Sequence, residues 1–172
     1  MSNSKIVAIM ALIVFAMGIL MVGDALAGEK VKGRTVYHTV KREAIDVGDE
    51  DGHVVAVWEG KYINTNMEGK EFGDGWPGWE TCLIDMNSKT GVGSLVCYGY
   101  VADRDGDKYY YRAEGKWQKR GKPAGDGWEW WNKILKGTGK FEGIQGKTTG
   151  QTYFPVKGQT YTNWEMEVEL PR

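Results

Sequence analysis

Beyond its first 27 residues the chain predicts an all-β fold, a single eight-stranded antiparallel up-and-down barrel. Three observations carry that prediction. Apolar and polar residues alternate with period two along most of the chain. Turn-forming residues punctuate these runs, with 25 Gly against only 4 Pro. No helical period appears after the leader, and Gly at this density disfavours helices by about 1 kcal/mol per residue against Ala. The 8 Trp and 9 Tyr also favour pleated surfaces.

The clearest strand is the last, 162–170. Thr162, Trp164, Met166, Val168 and Leu170 alternate with Asn163, Glu165, Glu167 and Glu169, giving one apolar and one acidic face. Segment 108–116 alternates likewise, with Tyr110 out of phase. Runs rich in β-branched and aromatic residues mark strands at 35–47, 54–63, 79–86, 94–102, 128–135 and 148–156. The connections read as turns: Asp49-Glu50-Asp51-Gly52, the stretch 87–93, Asp105-Gly106, and Gly158-Gln159. Asp-Gly is a strong hairpin signal, because a type I′ turn needs positive φ. Sequential hairpins form a meander, and closing eight strands removes the sheet edges.

The first residues point to export. Lys5 precedes an uncharged apolar run, 6–22, and Ala25 and Ala27 supply an A-x-A cleavage site. This is the pattern of a secretory signal peptide. Cleavage after Ala27 divides the chain into a leader, 1–27, and a barrel domain, 28–172. The apolar run is also nearly long enough for an uncleaved anchor, which needs about 20 residues. No second apolar run follows, so no membrane span is expected after cleavage. The location expected is periplasmic or secreted. There, Cys82 and Cys97 read as a disulfide, with two buried thiols the alternative. Their midpoint falls between Lys89 and Thr90, so a hairpin centred in 87–93 sets them opposite each other.

Net charge is −1, and the leader contributes one Lys and one Asp, so the barrel domain keeps that value. A nearly neutral domain does not attract phosphate backbones over long range, which excludes nucleic acid as a partner. No cofactor loop appears: the Gly137-x-Gly139 pair precedes no helix, and neither a G-x-S-x-G nor an H-E-x-x-H motif occurs. No metal site is expected. Asp103, Asp105 and Asp107 resemble a calcium loop, but Gly106 falls at its fourth position rather than its sixth. His38 and His53 have no metal-ligand spacing.

An internal echo links Gly73-Asp74-Gly75-Trp76 with Gly125-Asp126-Gly127-Trp128, each preceded by Glu-Gly-Lys-aromatic (59–62, 114–117). Two similar turns explain it; a duplication is the alternative. Aromatics there could ring a barrel mouth or pack the core.

The run Val96-Cys97-Tyr98-Gly99-Tyr100 through Asp103-Arg104-Asp105-Gly106-Asp107, followed by Gly137-Thr138-Gly139-Lys140-Phe141-Glu142-Gly143-Ile144-Gln145-Gly146, resembles the allene oxide cyclase-like and dirigent-like barrels. That group includes many exported bacterial proteins. The resemblance covers roughly the C-terminal half and rests on turn and packing motifs. It implies an eight-stranded barrel with an apolar lumen, often trimeric, and places no catalytic residue on this chain. The four glycines of the second motif also read as bends or close approaches in the barrel wall.

Three functions fit such a scaffold. The first is binding of a small hydrophobic or amphipathic ligand in the lumen, lined by wall and mouth aromatics: Trp76, Tyr98, Tyr100, Tyr109, Tyr111 and Trp128. A one-residue slip in register would turn any of these outward. The second is a cyclase or isomerase, implied by the resemblance. The third is a structural barrel with a packed lumen. A pocket above about 300 Å³ separates the first from the third. A lumenal carboxylate or Tyr with a perturbed pKa separates the second from the first.

Overall fold

The computed structural model describes residues 28–69, 71–119, 125–154 and 160–171. The leader and the Gly158-Gln159 turn lie outside the described residues. Eight strands are formed: β1 (Glu29–Asp46), β2 (His53–Glu68), β3 (Pro77–Asn87), β4 (Val92–Ala102), β5 (Lys108–Gln118), β6 (Gly127–Gly137), β7 (Gln145–Tyr153) and β8 (Tyr161–Glu169). Each pairs antiparallel with its neighbour in sequence, and β8 pairs back onto β1, closing the barrel. Among the described residues the one helical segment is a 3₁₀ turn, Gly139–Phe141. No helix among them is long and apolar enough to cross a membrane.

Period-two alternation maps onto inside and outside. On β8, Thr162, Trp164, Met166 and Val168 are buried, while Glu165 and Glu167 face out. The outward acids meet lysines of both flanking strands: Glu167 pairs with Lys30 at 3.4 Å and Lys147 at 3.0 Å, and Glu165 with Lys32 at 3.6 Å. At this exposure each pair adds little stability. Strand β1 starts at Glu29 rather than near Thr35. Its first inward positions are Val31 and Gly33, and a Cβ on Gly33 would sit 2.3 Å from the Trp164 ring of β8. The glycine interrupts the apolar alternation because a distant indole fills its place.

The barrel has two unlike ends. At the lower end the β2–β3 loop contributes Phe72 and the β6–β7 connection contributes Phe141 and Ile144, all buried. Phe72 and Phe141 lie 6.1 Å apart edge to face, with the Tyr109 ring 6.0 and 6.2 Å from them. The chain turns sharply there through Gly139 (φ 53°) and Gly143 (φ 88°). Asp103 shapes the neighbouring β4–β5 turn: its Oδ1 accepts the amides of Asp105 and Asp107, and its carboxylate pairs with Lys140. The acidic cluster is thus a braced turn.

At the upper end the β1–β2 hairpin extends past the last β1–β8 pairing at Val36. His53 holds its tip, with Nδ1 2.6 Å from Asp49 and Nε2 3.0 Å from Asp85 on β3. The β3–β4 hairpin is joined by the Cys82–Cys97 disulfide, between residues directly opposite each other with Cα atoms 4.0 Å apart. The two copies of the sequence echo face opposite ends. Trp76 is at the lower end and Trp128 at the upper, because three antiparallel strands separate them. They therefore cannot ring one mouth.

Candidate functional site

The lumen holds a cavity of about 610 Å³. Ligand pockets commonly span roughly 300–1,000 Å³. It is floored by Phe72 and Gly73, and walled higher up by Ile84, Met86, Leu95, Trp117, Trp128 and Trp130. Cavity space survives in so aromatic a lumen because several rings lie flat along the wall. Inward glycines provide the recesses. A Cβ would meet Trp58 at 2.2 Å on Gly60, Tyr62 at 2.1 Å on Gly78, Tyr111 at 2.5 Å on Gly99, and Trp130 at 2.4 Å on Gly150.

These recesses assemble a polar pole deep in the lumen. Glu80 points inward from β3, in phase with Cys82 and Ile84. Gly99 on β4 pairs with Glu80 on one side and with Tyr111 on the other. With no side chain between them, the Tyr111 hydroxyl reaches across β4 and donates to Glu80 Oε2 at 2.7 Å. Tyr62, lying over Gly78, sets its hydroxyl 2.9 Å from that of Tyr111 and donates to the Tyr100 carbonyl at 3.3 Å. Tyr37 stands beside it, ring centres 5.3 Å apart.

Burial dominates the electrostatics of this group. Desolvation pushes the Glu80 carboxyl up to about 7, only partly opposed by the Tyr111 hydrogen bond. Desolvation and the nearby Glu80 charge push Tyr37, Tyr62 and Tyr111 well above the ordinary phenol range. A carboxylic acid that titrates near neutrality beside hydroxyls can hold or pass a proton. The Glu80 oxygens and both cysteine sulfurs lie within 4.8 Å of one another, but a disulfide offers no thiolate to a metal.

Two further polar side chains face the lumen on the far wall. Asn132 on β6 and Thr148 on β7 are directly paired, and Asn132 Oδ1 and Thr148 Oγ1 are buried without a hydrogen-bond partner among the described residues. Arg42, on the β1 extension, is with Glu80 one of the two charged residues lining the cavity among the described residues.

Of the six aromatics expected at the site, Tyr109, Tyr111 and Trp128 line the cavity. Trp76 belongs to the lower stopper, 4.9 Å from Phe72 and 5.4 Å from Phe141. Tyr98 and Tyr100 face outward. Tyr98 is 56% exposed and its hydroxyl accepts from Arg112 at 3.2 Å. Tyr100 packs against Tyr110 at 6.0 Å and lies under Lys108 at 4.7 Å. The reason is phase: the disulfide turns Cys97 inward, so 98 and 100 turn out. The same phase sends Glu80 inward two residues before Cys82, a signal the sequence held and the aromatic count obscured. No protein-family model matches the chain, and no curated protein matches it.

Proposed function

We propose that this protein is exported and binds one small amphipathic molecule in the barrel lumen. The observation that carries the reading is the cavity of about 610 Å³ with an apolar upper wall and a buried Glu80–Tyr111–Tyr62 pole. A lumen built for packing alone would fill this volume, and a buried carboxyl with one donor costs stability that packing does not need. Export is supported by the leader pattern of 1–27 and by the disulfide, a bond of oxidising compartments. The closed eight-stranded barrel also supports placing the chain beside the allene oxide cyclase-like group.

Trp58, Trp117, Trp128 and Trp130 line the cavity, so occupancy is readable by fluorescence. Titration of folded protein with long-chain alcohols and lipids is expected to quench or shift Trp emission saturably. A folded protein whose emission ignores every apolar ligand would refute lumen binding. The intact mass of the protein recovered from its own host is expected to begin at Gly28, and a mass retaining 1–27 would make it an anchored form.

A second reading, a cyclase- or isomerase-type enzyme, is favoured by one observation: Glu80 titrates near neutrality within hydrogen-bond reach of a phenol. Native mass spectrometry separates the two readings. A binder retains its ligand unchanged, whereas an enzyme converts it and a Glu80→Gln variant holds it unconverted.

A further inference from the structure

The charges and hydrogen-bonding groups of the lumen are distributed unequally, and the imbalance bears on what occupies it. Glu80 is deep. Arg42, the other charged lining residue among those described, stands on the β1 extension beyond the last β1–β8 pairing. Tyr111 donates its one hydroxyl proton to Glu80, and Tyr62 donates to the Tyr100 carbonyl. The pole therefore spends its donors internally. What the Glu80–Tyr111–Tyr62 group itself leaves over are acceptors. A carboxylate can accept about four hydrogen bonds, and among the described residues Glu80 receives only the one from Tyr111. On the far wall Asn132 Oδ1 adds a buried acceptor with no partner among the described residues, while the Asn132 amide nitrogen and the Thr148 hydroxyl beside it can donate as well, so the bias against an anion comes from Glu80. Asn132 sits in the register row of Ala113, Cys97 and Cys82, one inward position above Glu80, with only small side chains between. The rings of Tyr37 and Tyr62 stand beside the pole and line the cavity.

Resting on the lumen-binding reading, we propose that the deep pole selects a cationic, hydrogen-bond-donating headgroup, an alkylammonium, and disfavours a carboxylate. An ammonium brings three donors and a charge to a site of unused acceptors, one of them anionic. A carboxylate brings only acceptors and a like charge. The groups that titrate in the lumen beside Glu80 are Tyr37, Tyr62, Tyr109 and Tyr111, all held protonated by burial. His38 is on the outer wall and His53 at the hairpin tip, so neither intervenes. Glu80 is thus the lumenal group that changes charge near neutrality, which makes the selectivity pH-dependent.

The test uses decylamine, decanol and decanoate, equal chains with different heads, titrated into the full mature protein by Trp fluorescence. Near pH 8 decylamine is expected to bind about 10–100-fold more tightly than decanol, the range of a charge-assisted hydrogen bond, with decanoate weakest. Near pH 5.5, and in Glu80→Gln near pH 8, the advantage over decanol should collapse. Decanoate equal to or tighter than decylamine near pH 8, or an amine preference unchanged by both pH and Glu80→Gln, would overturn the proposal while leaving lumen binding intact. Failure of all three probes to bind would overturn both. The pH series needs no variant, so a poorly folding Glu80→Gln does not block the test.

Discussion

At the scale of single residues, Glu80 is the position where stability and chemistry pull apart. Its carboxyl titrates at about 7 in the folded barrel against an ordinary 4.5. Between those values the folded state holds a proton that the unfolded state has lost, so stability falls as pH rises from 4.5 to about 7 and levels off above. The loss amounts to about 3 kcal/mol. His53, raised by hydrogen bonds to Asp49 and Asp85, adds a loss in the same direction above its ordinary 6.5. Glu80→Gln is therefore expected to be more stable than the native barrel near pH 8, by up to about 3 kcal/mol, and to flatten the fall between 4.5 and 7. Urea melts across that range check it; a less stable variant near pH 8 would mean that the charged form is well accommodated. A residue whose removal stabilises the fold is the kind retained for a site.

At the scale of elements, the β3–β4 hairpin carries the covalent tie. The sulfurs close a loop of 15 residues, worth about 3 kcal/mol on the chain-entropy model. Reduction is expected to lower the melting temperature by roughly 6–12 °C, with the far-ultraviolet β signature unchanged below the new midpoint. Two reactive thiols in unreduced, denatured protein would contradict the tie. This element was readable in advance, because the cysteines are equidistant from a turn and their opposition fixes the register. The same register, carried along β4, separates inward Val101 from outward Tyr98 and Tyr100, which aromatic content alone could not do. The start of β1 was hidden for a different reason. Gly33 looks like a break, and only the Trp164 ring of a strand at the other end of the chain explains it.

At the scale of the molecule, composition left open whether eight tryptophans fill a barrel or line one. The answer depends on which glycine faces which ring across a strand pair, as Gly99 faces Tyr111 and Gly78 faces Tyr62. Such pairings are a property of the closed sheet and appear in no local window. Closure itself was legible, since turn follows strand through most of the sequence. The unlikeness of the two ends was not, because Phe72 and Phe141 come from connections that read as plain loops. Their edge-to-face contact across the lower end has a kinetic consequence. If the lumen takes an occupant, as proposed, this aromatic floor makes it a cul-de-sac at that end rather than a conduit: what goes in leads with the part that docks at the bottom, and backs out the way it came. Exchange then proceeds one occupant at a time, the departing molecule holding off its successor, and residence time is set where the tail leaves rather than where the head rests.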